Sequence, residues 1–285
     1  MYSVSFVMKR ALGLALLVFL GLCTAGCSKG SLPPTGQPVS GAPPAQTADT
    51  ISTFTLVGHT EAGRKKWQVE GETADLLSEK VELSPVRATS FGRVQLNLKA
   101  DRGRFDRTSQ DVRLQGNVVA VTSDGARLTT ESLDWEQAKE TGTTDQWVTV
   151  TRAGTAARGL GGVGYPQLKR VRLERQVTVV MDGDEGVTVI TCDGPMEVDY
   201  GRNKARFWRN VLVRDGKGLI RSDRLDATLR AKTHDLEKAT FWGHVQIFQG
   251  KQVAFANRAN YSPADGYIRL LGHPRMVVLE GAESP

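Results

Sequence analysis

Four histidines, one interior cysteine and a recurring set of acids are the residues that could do chemistry in this chain. His59, His234, His244 and His273 are scattered along 285 residues. A zinc site draws its ligands from closely spaced Cys and His pairs, and these histidines with Cys192 form none. Asp134, Asp199 and Asp226 recur in similar short contexts (LDW, VDY, LDA), which assigns them to turns and surface before acid–base work. GLGGVG at Gly159–Gly164 has the glycine density of a phosphate loop. It lacks the Lys-Ser/Thr ending and a strand–helix unit, so a flexible β-turn region is expected there. Neither GxSxG nor HExxH occurs. The chain is therefore expected not to be an enzyme, with no catalytic residue, metal site or cofactor.

What would position such residues is almost entirely β. From Phe54 onward, short segments alternate apolar and polar residues and are punctuated by DG, GN, SDG and GKG turn signals. Asp134–Thr141 alone reads as either a helical turn or a loop. A nine-residue phrase recurs: VRLQGNVVA centred on Gly116, VRLERQVTV on Arg175, ARFWRNVLV on Arg209, ATFWGHVQI on Gly243 and IRLLGHPRM on Gly272. The centres Arg175, Arg209 and Gly243 are evenly spaced. Each interval has room for several short antiparallel strands and is longer than one coil of a thin β-helix. Side chains alternate along a strand, so each phrase paints an apolar stripe: Leu114 and Val118, Leu173 and Val177, Phe207 and Val211, Phe241, Val245 and Ile247. Between phrases lies a second element: RGRFD, ESLDW, PMEVDY, DRLDATL and NRANYS. Tandem strands of this kind should fold over one another as two sheets with the stripes inward. Pro274 breaks the last phrase and suits an edge or terminal strand.

The centres matter. Gly permits a bulge where a long strand crosses between sheets, but Arg175 and Arg209 occupy the same position. Either a bulge turns each arginine to solvent, the reading the pattern favours, or their guanidinium groups stand at a groove mouth and meet phosphates bidentately. Trp208 and Trp242, on the opposite face, are either packed cross-strand partners or an exposed contact site. His244 and His273 take the slot after the centre that Asn117 and Asn210 fill, and so read as turn residues.

The N-terminus has its own logic. Lys9 and Arg10 precede the apolar run Ala11–Leu22 and the small residues of CTAGC, the plan of a signal peptide over residues 1–26. Ala25-Gly26-Cys27 resembles a lipobox, with Thr24 where Leu is usual, which makes Cys27 a candidate lipid anchor. Residues 27–50, rich in Pro, Gly and Ser, read as a disordered tether. The formal charge is +6; Lys9 and Arg10 leave with the signal, so +4 remains, spread without basic–aromatic blocks. Nucleic acid is not an expected partner.

WQVEG at Trp67–Gly71, ADRGRFD, VRLQGNVVAVTSDGARLTTESLDW and VRLERQV resemble the LptC family of lipopolysaccharide export. Met196–Leu229, Lys238–Tyr261 and Gly266–Gly281 resemble the OstA-type domain of LptA. The resemblance implies tandem antiparallel β-jelly-rolls, an LptC-like unit over 51–181 and an LptA/OstA-like unit over 182–285, either separate or continuous. It further implies that lipid A acyl chains are carried in an apolar groove lined by Leu114, Val118, Leu173, Val177, Phe207, Val211, Phe241, Val245 and Ile247, from an inner-membrane ABC transporter toward the outer membrane. Exposing ten methylenes to water costs about 8 kcal/mol, which such a groove would remove. The implied partners are lipopolysaccharide, the transporter's permease subunits and an LptA-like or LptD-like jelly-roll joined by edge-strand addition. The implied place is the periplasmic side of the envelope, with the anchor in the inner or else the outer membrane. The rival reading is a structural, assembly or glycan-binding β-sandwich lipoprotein.

Overall fold

The computed structural model describes residues 4–6, 50–51, 54–59, 62–71, 74–75, 80–91, 95–123, 125–165, 169–183, 186–231 and 236–278. Cys27 and, apart from Val4–Phe6 and Thr50, the expected signal and tether lie outside them. The described residues form an antiparallel β ladder without a helix. Its first strands are β1 (Val4–Phe6), β2 (Thr50–Ile51), β3 (Phe54–His59), β4 (Lys65–Gly71), β5 (Ala74–Asp75), β6 (Lys80–Leu83), β7 (Val86–Ser90), β8 (Leu96–Ala100) and β9 (Arg102–Asp106). The long middle strands are β10 (Val112–Thr122), β11 (Arg127–Glu136), β12 (Thr141–Arg152), β13 (Thr155–Tyr165) and β14 (Arg170–Gly183). Then come β15 (Gly186–Cys192), β16 (Met196–Asp199), β17 (Lys204–Asp215), β18 (Gly218–Leu229), β19 (Leu236–Gln249), β20 (Gln252–Ser262), β21 (Tyr267–Leu271) and β22 (Arg275–Val278).

The bulges at the phrase centres make two layers from one ladder. In β10, Val112–Gln115 pairs with β9, while Val119–Thr122 pairs with β8. Between these arms Gly116 and Asn117 both have positive φ, 76° and 48°, and the register against β11 shifts. An extra residue in the left-handed region bends the strand and resets which side chains point inward. The same device recurs in β14, whose two arms pair with β16 and β15, and in β17, which closes on the same two strands from the other side. Strand β20 divides its arms between β21 and β22. Arg209 and Asn210 (φ 64° and 52°), Gly243 and His244 (70° and 41°), and Gly272 and His273 (74° and 54°) are paired left-handed residues like those of β10. In β14 Gln176 alone, at 51°, takes that conformation. The corners line up into a spine, with one arm of every long strand on each side.

Inward side chains of both arms meet in two buried clusters. A small one runs from Val81 to Val118, and a large one runs from Val148 through Leu270. GLGGVG is not a turn: it lies inside β13, and its glycines serve packing. A Cβ on Gly159 would stand 3.0 Å from that of Leu173, and one on Gly162 would be 3.3 Å from a methyl of Val148. Small residues there let neighbouring large ones cover them. Asp134–Thr141 resolves as the end of β11, a turn and the first residue of β12, because both flanking segments satisfy their backbone groups across the ladder. Pro274 lies in the bend between β21 and β22 and so removes no ladder donor.

Candidate functional site

Register turns separate stripes into one track. On one arm Val69 stands opposite Ala88, which faces Leu98, and the chain of opposite partners continues through Ala120, Leu128, Val150, Ala157 and Val179. It passes on through Ile190, Val213, Ile220, Ile247 and Ala254 to Met276. Every member is apolar. At about 4.8 Å between neighbouring strands, the row runs roughly 60 Å across the ladder.

The nine residues expected to line a groove lie along this interior. Val118, Val177, Val211, Val245 and Ile247 are 1% exposed or less, and Leu114, Leu173, Phe207 and Phe241 are also buried. The two arms are thus closed over them. Burial is uneven along the row, however: Leu128, Val150 and Ala157 are half-buried, whereas every member from Val179 to Ala254 is buried. The half-buried stretch coincides with strands poor in large inward side chains. There Gly142 pairs with Gly164, Thr144 pairs with Gly162, and the buried Thr130 shares a 3.2 Å hydroxyl contact with Thr144.

The corners show what the sequence reading missed. Asn117 donates to Asp101 at 2.8 Å, Asn210 donates to Asp193 at 2.5 Å, and His244 Nδ1 lies 2.8 Å from Asp223. Asn257 occupies the equivalent place beside Gly272, where its backbone N–H donates to the Gly272 carbonyl at 3.0 Å. The first three corners are thus held by an acid side chain, Asp101 and Asp193 from the joins β8/β9 and β15/β16 and Asp223 from β18, and the fourth by the Asn257 backbone of β20. Part of the signal was available: Asp101, Asp193 and Asn257 lie 15 or 16 residues upstream of the centre they serve, whereas Asp223 lies 20 upstream of Gly243. The acids that were singled out have outward structural roles. Asp134 accepts two hydrogen bonds from Arg113, Asp199 accepts the Arg202 amide, and Asp226 accepts from Arg224 and from Trp242 Nε1. The bond that Arg113 donates to Asp134 raises its pKa, and the bond donated to Asp226 raises that of Arg224.

Two family models match the chain. Residues 14–182 match lipopolysaccharide-assembly, LptC-related; residues 190–284 match the LptA/(LptD N-terminal domain) LPS transport protein. The chain belongs to the LptC-related family. It is an LptC-like domain fused to an LptA/OstA-like domain, in β-jelly-roll families that serve lipopolysaccharide transport and are not enzymes. A comparison with curated proteins found no match.

The join between the two matches is a hairpin. The LptC match ends in β14 and the second begins in β15, and these strands pair from Val177–Cys192 to Gly183–Gly186. The large core cluster spans that join, whereas the break between clusters falls inside the LptC-like part. No helix among the described residues is long and apolar enough to cross a membrane. Among the described residues no group of three or more His, Cys, Asp and Glu could hold a metal ion. Cys192 is buried in the shared core, and that burial pushes its thiol pKa up to about 11.

The remaining singled-out residues are on the outside. Trp208 stands opposite Arg224, which faces Trp242, which in turn faces Arg258, making an indole–guanidinium ladder over four strands. Arg258 lies 5.1 Å from the Trp242 ring centroid, and Trp242 is 39% exposed. Arg175 and Arg209 are both exposed at the spine. They border one open cleft of about 860 Å³, together with Trp208, Arg172, Glu174 and Asp145.

Proposed function

We propose that this protein carries the acyl chains of lipopolysaccharide between its two sheets, along the apolar row from the LptC-like domain into the LptA-like domain. The row is the observation that supports this reading: each member neighbours the next across a strand pair, so an acyl chain meets similar surface at every step and no deep trap. Leu128, Val150 and Ala157 are half-buried, as are Val69, Ala88 and Leu98 upstream, so the interior is more accessible along this half of the row than from Val179 to Ala254. Beyond it, the arms must part before a chain can lie against Leu173, Val177, Phe207, Val211, Phe241, Val245 or Ile247, with Leu114 and Val118 in the smaller cluster upstream. Lipid is pushed from an inner-membrane ABC transporter, and the fusion moves it into the second domain without a dissociable interface.

Cys27 anchors the protein by lipid after removal of residues 1–26, and residues 27–50 tether the jelly-rolls of 51–181 and 182–285 on the periplasmic side of the inner membrane. The outgoing partner is another β-jelly-roll, LptA-like or LptD-like, added at the C-terminal edge. There β22 exposes Met276, Val277 and Val278, and β21 carries only the short β1 on its outer side. Loss of the signal peptide would remove β1 and free that edge.

The test is photocrosslinking in the native bacterium from single sites at Leu128, Val150, Val211 and Ile247. Crosslinks to newly made lipopolysaccharide are expected from inward sites and not from the outward Thr129 and Gln246. A scan of the inward row that yields no lipid adduct would reject the interior path.

A further inference from the structure

We propose that the cleft on the spine, where the two domains join, binds a phosphorylated sugar. The inference does not depend on the path of acyl chains, because the cleft lies outside the closed core.

The cleft exists because this part of the spine lacks side chains. Gly161 has φ 75° and carries nothing over the corner of β13. Gly194 (φ 95°), next to the lining residue Pro195, is not part of the lining; a Cβ there would meet the Glu174 carbonyl oxygen at 2.4 Å, so glycine lets the β15–β16 join pack against β14. Onto this hollow project two arginines that the fold does not use fully. The Arg175 side chain has no hydrogen bond or ion pair among the described residues. Arg209 donates only its Nε, to the Gly194 carbonyl at 2.5 Å, which leaves its terminal nitrogens for a ligand.

Arg209 also sits at φ 64°, where the corresponding corners of β10 and β19 have glycine. A non-glycine residue in that region is strained by about 1–2 kcal/mol, and here the bulge, which places Gln176, Asn210, His244 and His273 in the same region, holds it. Arg172 is already paired with Glu174 at 2.9 Å, so the free positive charge belongs to Arg175 and Arg209. Two guanidinium forks match the oxygens of a phosphomonoester.

Phosphate alone would leave much of the volume empty. The Trp208 indole supplies an apolar wall against which the C–H face of a pyranose can lie. Asp145 and Glu174 supply acceptors for its hydroxyls. A hexose phosphate, amino sugars included, meets all three features. Such a group could come from a lipopolysaccharide headgroup or from a soluble sugar phosphate.

The test titrates the full chain with glucosamine 6-phosphate, glucosamine and inorganic phosphate, read by calorimetry. The expected result is saturable binding of glucosamine 6-phosphate, at least about tenfold tighter than either fragment. Arg175→Gln should weaken it by about tenfold or more, since a charge-assisted hydrogen bond is lost from an exposed side chain with no structural partner. Arg214→Gln, on the far arm of β17, should leave it unchanged. Competition by purified lipopolysaccharide would support the site with a headgroup as the source; absence of competition, with the sugar phosphate still bound, would support it with a soluble source. No binding of glucosamine 6-phosphate, equal binding of inorganic phosphate, or unchanged affinity in Arg175→Gln would overturn the proposal.

Discussion

Replacing Gly243 by alanine tests whether the corners hold the two layers in place. Gly243 has φ 70°, and a Cβ there would come 2.1 Å from Asp223 Oδ2 and 2.8 Å from its Cγ. Two costs follow. The left-handed conformation itself costs a non-glycine residue about 1 kcal/mol or somewhat more. The Asp223 carboxylate must also swing away and release His244, an exposed pair worth no more than about 1 kcal/mol. Together these make Gly243→Ala destabilising by about 2 kcal/mol. In an Asp223→Ala background the clash partner is gone, and only the conformational cost of about 1 kcal/mol should remain. Arg209→Ala, at an equivalent corner, adds no new strain because that residue is already non-glycine; its loss should stay under about 1 kcal/mol. Urea unfolding followed by the fluorescence of the five tryptophans gives the midpoints, with an unchanged slope as the control. If Gly243→Ala costs the same with and without Asp223, the close approach is not what makes glycine necessary, and the account of the corner fails.

Two other outcomes follow from the core. Phe207→Ala, at a 5% exposed position central to the shared cluster, should cost about 3–5 kcal/mol and lower the urea midpoint without altering secondary structure in circular dichroism. Cys192 should react with iodoacetamide at pH 8 far more slowly than after unfolding. A pKa raised from 9.0 to about 11 alone lowers the thiolate fraction roughly a hundredfold. The same shift fixes a sign for stability. The native thiol holds its proton to higher pH than the unfolded one, so this contribution is intact below pH 9 and is lost as pH rises from 9 toward 11. Cys192→Ala should flatten the decline in that window, as read from melting temperatures between pH 8 and 11.

The sequence by itself determined what is local. Alternation with period two gives strands and the inward identity of Leu114, Phe207 or Val245, because successive side chains on any pleated strand point to opposite faces. Asn117, Asn210, His244 and His273 were expected in turns; all four have positive φ, but only His273 lies in a bend, and the other three are bulge residues inside β10, β17 and β19. The LptC and LptA/OstA resemblance could be read from the ordered motifs. Tertiary structure decided everything that depends on register between distant strands. Only pairing converts scattered stripes into a row from Val69 to Met276, and only pairing closes the two arms over the nine expected lining residues. GLGGVG looked like a turn because glycine density is ambiguous in sequence; inside β13 the missing side chains make room for Leu173 and Val148. Asp101, Asp193 and Asp223 gain their meaning from the corners at Asn117, Asn210 and His244, which lie on other segments of the ladder. Arg175 and Arg209, the centres of successive phrases, share one cleft because β15 and β16 pair with both of their strands, a juxtaposition that no local period encodes.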